Sequence, residues 1–539
     1  MLKKSIALLL VFVSIISLSF ACTIIAVGKD AMADGSTIIT HSCDSGSDNP
    51  LLWIIPEADW AEGSVREIYQ NAHYFYFKGN KNGTPVYNKD GYLTVDETVA
   101  KKVGEIPQVS HTYRYFYCGY SFMNEKGVAI GESTFSQGNY ATDTGKQIMK
   151  DLLEDTWGII DCFTAQDIAL ERASTAREAV QIMGDLVNKY GWYGAGEIMD
   201  ITDGNEVWVA EFYGRDLWAA VRVPDDSVFV GANVGILRDL DLTDTKNVMY
   251  SPNLVKFAVE KGWYTPKEGE KLFSPGPVYA PRTGMNVREW RATDLLAPSL
   301  KVEYNQTYYP LFVKPDKKLT VQDIFTIHGD VYEGTDLDLT KGIGAGPFGD
   351  PFASYRIGGR ARPIGVPQST YIHIGQVKGW LPDEIKGISW FGYGAGATTY
   401  LTPLWPIMEK LPDFYMVGSR YEPLRRDSAF WTNLYVQEVV RHRYMDAIKD
   451  LRAYRDPKMQ SIYTQADNVQ NQAAAFIRSG NKEQGIKLVS DFAYDTAIAW
   501  QRNWLDLGDT IFAKYVMDRI YMKGPSYPKT WQTTITPVK

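Results

Sequence analysis

Cysteine and histidine are scarce in this chain of 539 residues, which contains only four cysteines and six histidines. The cysteines form no CxxC pair and the histidines show no spacing typical of metal ligands, so the sequence predicts neither a metal site nor a cofactor. Four cysteines are also too few for a disulfide-rich scaffold. They are Cys22, Cys43, Cys118 and Cys162.

An excess of positive charge is absent as well. The chain has 56 Lys and Arg against 64 Asp and Glu, which gives a formal net charge of −8 at pH 7. The basic residues are scattered rather than clustered, whereas nucleic-acid binding requires a basic surface. We therefore do not expect nucleic acid as a partner. The hydrophobic fraction of 45% is enough for a large core.

The N-terminus carries an uncharged apolar run over residues 5–18, which is shorter than the ~20 residues of a membrane-spanning helix. Two lysines precede this run, and Ser19 and Ala21 place small side chains at the positions that a signal peptidase recognises before its cleavage site. The pattern predicts a signal peptide over residues 1–21. The mature protein would then be exported, to the periplasm or outside the cell.

Cleavage after Ala21 would make Cys22 the first residue of the mature chain. A free α-amino group has a pKa of about 7.7–8 and can therefore act as the base for the thiol of its own residue. This is the chemistry of N-terminal nucleophile enzymes, which need no neighbouring histidine as base. Two alternatives are a lipid attached to Cys22, disfavoured because Ser19 stands where a lipoprotein signal has an aliphatic residue, and a cysteine buried on a core strand.

The organisation of the chain changes once. Up to residue 427 short strand-like runs alternate with a few helical segments, and Asp34-Gly35 predicts a hairpin turn between TIIAV and STIIT. From residue 428 onward the spacing of apolar residues is helical. We expect one α+β domain over residues 22–427 and a helical C-terminal extension over 428–539 that packs on it.

Three segments resemble a known family. The first begins at Cys22 and reads CTIIAVGKDAMADGSTIITHSCDSG, the second is MNEKGVAIGEST, and the third runs from EVWVAEFYG to LWAAVRVPDDSVFVGANVG. They resemble the dipeptidase A family of cysteine dipeptidases, which belongs to the Ntn-hydrolase superfamily together with the secernins. The likeness extends over nearly the whole chain after the leader.

The resemblance implies a four-layer αββα sandwich with Cys22 as the nucleophile, at the start of a central strand. It implies that Asp44 hydrogen-bonds the amine of the nucleophile and that Asn233 supplies an oxyanion-hole donor. It also places His41 and Ser133 among the substrate-binding residues. On the residues alone, Asp44 could instead cap a turn, and Asn233 could be a turn residue at a strand end.

The sequence departs from the family at His41, because many relatives carry an arginine there. An imidazole cannot make the two-pronged contact that a guanidinium makes with a carboxylate, so recognition of a substrate carboxylate by that arginine is in doubt. Four arginines are candidates to replace it, and the sequence does not choose among Arg222, Arg238, Arg282 and Arg360.

The sequence thus predicts an exported cysteine dipeptidase that cleaves small peptides through a thioester at Cys22. The alternatives are an N-acyl amidase acting on non-peptide amides and a lipid-anchored peptide-binding protein. Only the lipid-anchored protein would associate with a membrane, and the sequence leaves open whether the chain forms a homo-oligomer.

Two cysteine pairs are candidates for disulfides. In the predicted hairpin Cys22 lies opposite Ser42 or Cys43. A register in which the thiols of Cys22 and Cys43 face each other would allow a reversible disulfide. The alternative is that Cys43 packs as a small apolar residue. Cys118 and Cys162 form the second candidate pair in an oxidising compartment.

The first prediction concerns processing. We expect the intact mass of the exported chain to correspond to a free N-terminal Cys22, because the leader ends at small residues. Mass spectrometry of the mature protein measures this directly. The added mass of a diacylglyceryl group would contradict the enzyme hypothesis, since an acylated amine is a poor base.

Overall fold

The computed structural model describes residues 22–46, 48–71, 86, 94–154, 158–282, 284–356, 361–517, 527–529 and 531. The predicted signal peptide and Arg360 lie outside these residues. None of the described helices is both long and apolar enough to cross a membrane.

Twenty strands occur among the described residues. They are β1 (Ile24–Val27), β2 (Thr37–Cys43), β3 (Trp53–Ile55), β4 (Ala58–Asp59), β5 (Val65–Tyr69), β6 (Lys102–Pro107), β7 (His111–Thr112), β8 (Tyr115–Cys118), β9 (Tyr120–Asn124), β10 (Ala129–Phe135), β11 (Gly196–Thr202), β12 (Val207–Gly214), β13 (Leu217–Arg222), β14 (Val228–Gly231), β15 (Leu240–Asp241), β16 (Val248–Tyr250), β17 (Leu272–Phe273), β18 (Tyr371–Val377), β19 (Gly387–Tyr393) and β20 (Thr402–Leu404).

Twelve α-helices occur in the same part of the chain. They are α1 (Asp143–Met149), α2 (Cys162–Arg172), α3 (Ala176–Tyr190), α4 (Leu254–Glu260), α5 (Pro275–Tyr279), α6 (Val287–Leu296), α7 (Val321–His328), α8 (Pro351–Ser354), α9 (Asp383–Lys386), α10 (Ala429–Arg441), α11 (Tyr444–Arg478) and α12 (Lys482–Ile511).

Two large antiparallel sheets form the centre of the protein. One has six strands in the order β14-β1-β2-β18-β19-β20, and the other has eight in the order β16-β13-β12-β11-β10-β9-β8-β3. Every residue of β1, β2, β11 and β12 is buried. Accordingly β1 and β12 read as nearly continuous apolar runs in the sequence, whereas β2 and β11 also bury polar side chains.

The two sheets pack against each other, with β2 in contact with β10, β11 and β12. Hydrogen bonds also cross between them, such as the one from Thr40 N to Asp200 Oδ2 at 3.1 Å. Helices α2 and α3 contact the eight-stranded sheet, and α7 and α10 contact the six-stranded sheet. The assignment of this arrangement to the Ntn-hydrolase sandwich stays a prediction.

The C-terminal helices begin where the sequence pattern changes. The hydroxyl of Ser428 accepts a hydrogen bond from Trp431 N, which caps α10 at its N-terminus. Helix α12 contacts β20, and α10 contacts β19, so these helices pack on the six-stranded sheet.

The first hairpin has the predicted strands and turn. Val27 lies opposite Ile38 and Thr23 opposite Ser42, a register that carries Cys22 opposite Cys43. Cys22 lies two residues before β1, an inner strand flanked by β14 and β2, and Thr23 forms a β-bridge with Ser42. The Ser42 N–H donates to Thr23 O at 3.2 Å, and the side-chain oxygen of Ser42 accepts the Thr23 N–H at 3.1 Å. The role of Cys22 at the start of a central strand stays a prediction.

All four cysteines are free thiols in this structure, so neither candidate disulfide is formed. The Cys43 thiol donates a hydrogen bond to Asp48 Oδ2 at 3.5 Å, and the Cys118 thiol donates one to Pro50 O at 3.2 Å. Both sulfurs are therefore hydrogen-bonded to oxygen atoms of the protein.

The close approach of the two sheets generates a second prediction. A Cβ atom on Gly131 of β10 would lie 2.3 Å from Thr40 O and 2.3 Å from Asp200 Oδ1. We expect Gly131→Ala to lower the free energy of unfolding by ~2 kcal/mol or more, since overpacking costs about 1–3 kcal/mol and a backbone atom cannot move aside. Denaturant titration measures the loss.

The control for this prediction is Gly284→Ala, where a Cβ meets nothing within 4 Å. It should change the free energy of unfolding by less than ~0.5 kcal/mol. Equal stability of the two variants would contradict the packing described here.

Candidate active site

A thiol, an imidazole and a carboxylate meet between the two sheets. Cys22 Sγ lies 3.1 Å from Glu132 Oε1 and 3.4 Å from His41 Nε2, and His41 Nε2 lies 2.9 Å from Glu132 Oε1. All three residues are buried, and Cys22 is 1% exposed. His41 comes from β2 of the first sheet and Glu132 from β10 of the second, so the packing of the sheets creates the cluster.

Burial and charge determine where the protons are. Burial raises the pKa of the Cys22 thiol well above its usual value, and the charge of Glu132 raises it further. Burial would also raise the pKa of Glu132, but the charge of His41 and its hydrogen bond outweigh this and lower it. The neighbouring Glu197 has a strongly raised pKa, caused by burial and then by the charge of Glu132. These shifts favour a neutral thiol, an ionised Glu132 and a protonated Glu197.

The hydrogen on His41 follows from this geometry. An ionised carboxylate only accepts hydrogen bonds, so Nε2 must carry the hydrogen that it shares with Glu132. The other ring nitrogen, Nδ1, lies 3.0 Å from the hydroxyl of Tyr371. The rings of Tyr120 and Tyr371 contact the imidazole edge-on, which fixes its plane.

Arg288, on α6, holds the backbone around the cysteine. Its Nη1 donates to Cys22 O at 2.6 Å and to Thr23 Oγ1 at 3.0 Å, and its Nη2 donates to Ala232 O at 2.9 Å and Asn233 Oδ1 at 2.7 Å. Burial and the charge of a second arginine lower the pKa of Arg288 to about 9, so it remains charged at neutral pH.

Asn233 follows β14 with a φ of 60°, a left-handed conformation that asparagine tolerates better than most residues. A guanidinium is only a donor, so the carboxamide oxygen must face Arg288. The amide nitrogen therefore faces Thr134 O, at 2.6 Å. This contact uses one of the two amide hydrogens, and the oxyanion-hole role of Asn233 stays a prediction.

Ser133 connects Cys22 to Asn233. Its hydroxyl donates to Cys22 O at 3.3 Å and accepts from Asn233 N at 3.0 Å. The side chain is fully buried, and both of these bonds are made within the protein. The predicted contact of Ser133 with substrate stays a prediction.

Asp44 is linked through Ser42 to the backbone beside Cys22. The Ser42 hydroxyl donates to Asp44 Oδ2 at 3.2 Å and accepts from Thr23 N at 3.1 Å, and Ser369 and Arg362 donate to the same carboxylate, each at 2.5 Å. Burial raises the pKa of Asp44, although the charge of Arg362 opposes this. The backbone N–H of Asp44 contacts the Cys22 thiol, and this contact partly opposes the rise in the pKa of the thiol that burial causes.

The sequence of the chain matches a model of a known protein family. Residues 21–456 match the model of peptidase family C69. The chain belongs to this peptidase family. The match confirms the resemblance to the dipeptidases that the three sequence segments indicated.

Curated relatives of the peptidase are similar over most of their length. It is 26% identical over 478 residues to a "Probable dipeptidase" of Latilactobacillus sakei, a match that covers 86% of this chain and 91% of the relative. It is 28% identical over 412 residues to a "Probable dipeptidase" of Salmonella dublin, covering 75% and 84%. It is 25% identical over 460 residues to "Probable dipeptidase B" of Streptococcus pyogenes serotype M1, covering 82% and 83%.

Two arginines that contact the site of the peptidase, Arg288 and Arg362, were not among the four candidates, of which the structure describes Arg222, Arg238 and Arg282. Arg222 pairs with the partly buried carboxylates of Asp225 and Glu206, and Arg238 donates to backbone carbonyls. Arg282 pairs with Glu289 at 3.1 Å and lines a cavity of about 350 Å³ that also includes Asn233.

Sequence reasoning missed four residues of the site, namely Glu132, Arg288, Arg362 and Tyr371. Glu132 had a signal, because it is a lone acidic residue in the strand-like run GVAIGEST. Such a residue is buried only when it has a partner. The other three lie outside the segments that carried the resemblance, and no local pattern distinguishes them.

The four hydrogen bonds of Arg288 generate a third prediction. Arg288→Lys keeps the charge, but a single ammonium cannot replace the four hydrogen bonds that Nη1 and Nη2 each make to a backbone carbonyl and a side-chain oxygen. We expect kcat/KM on a dipeptide to fall by ~100-fold or more and the free energy of unfolding to fall by about 1–3 kcal/mol, since buried acceptors lose their donor.

Arg222→Lys is the matched control, because its ion pairs with Glu206 and Asp225 are partly exposed to solvent. Its kcat/KM should remain within about twofold of wild type. A wild-type kcat/KM for Arg288→Lys would show that the contacts of Arg288 do not position the nucleophile.

Proposed function

We propose that this peptidase is an exported cysteine-type dipeptidase and an Ntn hydrolase, in which Cys22 becomes the N-terminal nucleophile after cleavage of residues 1–21. Membership of the peptidase family and the names of its relatives support dipeptide hydrolysis. The observation that carries the mechanism is the position of the Cys22 thiol, hydrogen-bonded to Glu132 and in contact with His41.

The α-amino group of Cys22 is the base in this proposal. His41 is the other candidate, but its Nε2 already carries a hydrogen that it shares with Glu132. A nitrogen in that state donates to a thiolate and cannot accept the proton of a thiol. The free amine has a suitable pKa and lies on the same residue as the sulfur.

The first half of the reaction transfers the acyl group. The amine takes the thiol proton as the sulfur attacks the carbonyl carbon of the peptide bond, and a tetrahedral oxyanion forms. The nitrogen of the scissile bond then takes a proton from the α-ammonium group and leaves as an amine. The acyl part of the substrate remains as a thioester on Cys22.

The second half repeats these steps with water. The α-amino group takes a proton from a water molecule, which attacks the thioester, and the carboxylic acid leaves as the thiol is restored. The Asn233 amide is the proposed donor to the oxyanion in both halves. His41 stabilises the thiolate as a donor, with its hydrogen directed by Glu132.

The fourth prediction tests the nucleophile. Cys22→Ala should fold, because it removes only one sulfur atom, and its kcat/KM should fall by at least ~10³-fold. Cys22→Ser should keep a trace of activity, since the amine remains beside a weaker nucleophile. Release of amino acids from a panel of dipeptides, tripeptides and N-acyl amides measures both variants and separates a dipeptidase from an N-acyl amidase.

Two further proteins complete the experiment. Cys118→Ser, which replaces a thiol bonded to a backbone carbonyl outside the cluster, should keep wild-type activity. A chain that begins Met-Cys22 and retains its methionine should be nearly inactive, because the base would then be an amide nitrogen. Full activity of that chain, with the methionine confirmed by mass, would contradict the N-terminal mechanism.

A further inference from the structure

We propose that the Cys22–His41–Glu132 cluster of the mature peptidase binds one zinc ion, and that the ion inhibits the enzyme reversibly by occupying its thiol. The three side-chain ligands stand on geometry, whereas the fourth ligand rests on the proposed cleavage of residues 1–21 and the inhibition rests on the proposed role of Cys22 as nucleophile. Among the described residues, this is the one group of three Cys, His or acidic side chains whose ligand atoms all lie within 4.8 Å of one another.

The spacing of the three atoms is close to that of a tetrahedral zinc site. Typical bond lengths of about 2.3 Å to sulfur and about 2.0–2.2 Å to nitrogen and oxygen give ligand separations of about 3.4–3.6 Å. The observed separations are 3.4 Å from Sγ to Nε2, 3.1 Å from Sγ to Oε1 and 2.9 Å from Nε2 to Oε1. Outward shifts of about half an ångström or less would admit the ion.

The fourth ligand is available only in the mature chain. Once residue 21 is removed, the α-amino nitrogen of Cys22 can bind the ion together with Sγ and close a five-membered chelate ring. Thiolate, imidazole, carboxylate and amine are all ligands that zinc accepts in four-coordinate sites.

The surroundings support a cation at this position. The Tyr371 hydroxyl contacts His41 Nδ1 at 3.0 Å and orients the imidazole, as a second hydrogen-bond partner does for most metal-binding histidines. The carboxyl group of Glu197 is hydrogen-bonded to Glu132, and its buried Oε2 has no hydrogen-bond partner among the described residues. A nearby cation would offset the cost of burying this oxygen.

Binding replaces hydrogens with the ion and involves no redox step. The thiol releases its proton to solvent, and an α-ammonium group does the same. His41 Nε2 loses its hydrogen and binds the ion. Nδ1 carries a hydrogen and donates it to the Tyr371 oxygen. The zinc remains divalent, and the thiolate lone pair that would attack the substrate is bound to the metal.

Metal titration of the mature, chelator-treated enzyme tests the proposal. We expect calorimetry to show one equivalent of Zn²⁺ bound, with dipeptide hydrolysis falling in proportion and recovering after EDTA. Co²⁺ in place of Zn²⁺ should give the near-ultraviolet charge-transfer band of a thiolate ligand. Cys22→Ala should abolish this band, and His41→Ala should weaken Zn²⁺ binding at least tenfold.

Cys118→Ser is the matched control and should bind Zn²⁺ and Co²⁺ like wild type. A melting curve shows whether His41→Ala folds. If it does not, Glu132→Gln takes its place in the Zn²⁺ titration. Absence of stoichiometric binding, or an unchanged cobalt band in Cys22→Ala, would overturn the site. Binding that leaves activity unchanged or raises it would overturn the inhibition. Failure of the proposed dipeptidase function would be recognised separately, because the metal-free enzyme would then hydrolyse no dipeptide.

Discussion

The contact between His41 and Glu132 is the interaction on which the site depends. It joins β2 of one sheet to β10 of the other, 2.9 Å apart at Nε2 and Oε1, in a region where both side chains are buried. A buried carboxylate without a partner is strongly unfavourable, and removal of one member of such a pair commonly costs about 3–5 kcal/mol. The two sheets are therefore constrained to pack in the register that brings Glu132 beside the Cys22 thiol.

Cys22 is held between an acidic and a basic side chain. Its thiol donates a hydrogen bond to Glu132, and its carbonyl oxygen accepts one from Arg288 at 2.6 Å. The arginine also donates to the carboxamide oxygen of Asn233, so the side chain proposed to stabilise an oxyanion and the backbone of Cys22 are held by the same residue. A change at Arg288 thus acts on both, although it lies far from them in the sequence.

The local parts of the fold were predictable, whereas the partners of the cysteine were not. Asp34-Gly35 marks a hairpin because its turn chemistry is local, and the leader marks Cys22 as a candidate N-terminus for the same reason. By contrast, Glu132 lies 110 positions from Cys22 and Arg288 lies 266 positions away. Such pairs meet only through the packing of whole sheets and helices, which neither periodicity nor residue spacing encodes.

The imidazole of His41 gives this site a chemistry that an arginine would not. A guanidinium donates hydrogen bonds in every protonation state accessible to a protein, so it can stabilise a thiolate but never bind a metal ion. An imidazole with a second partner at Nδ1, here Tyr371, can carry its hydrogen on either nitrogen. In the proposed mechanism the ring donates to a thiolate, and in the proposed metal site it serves as a ligand. If both proposals hold, one side chain links the activity of Cys22 to the metal content of its surroundings.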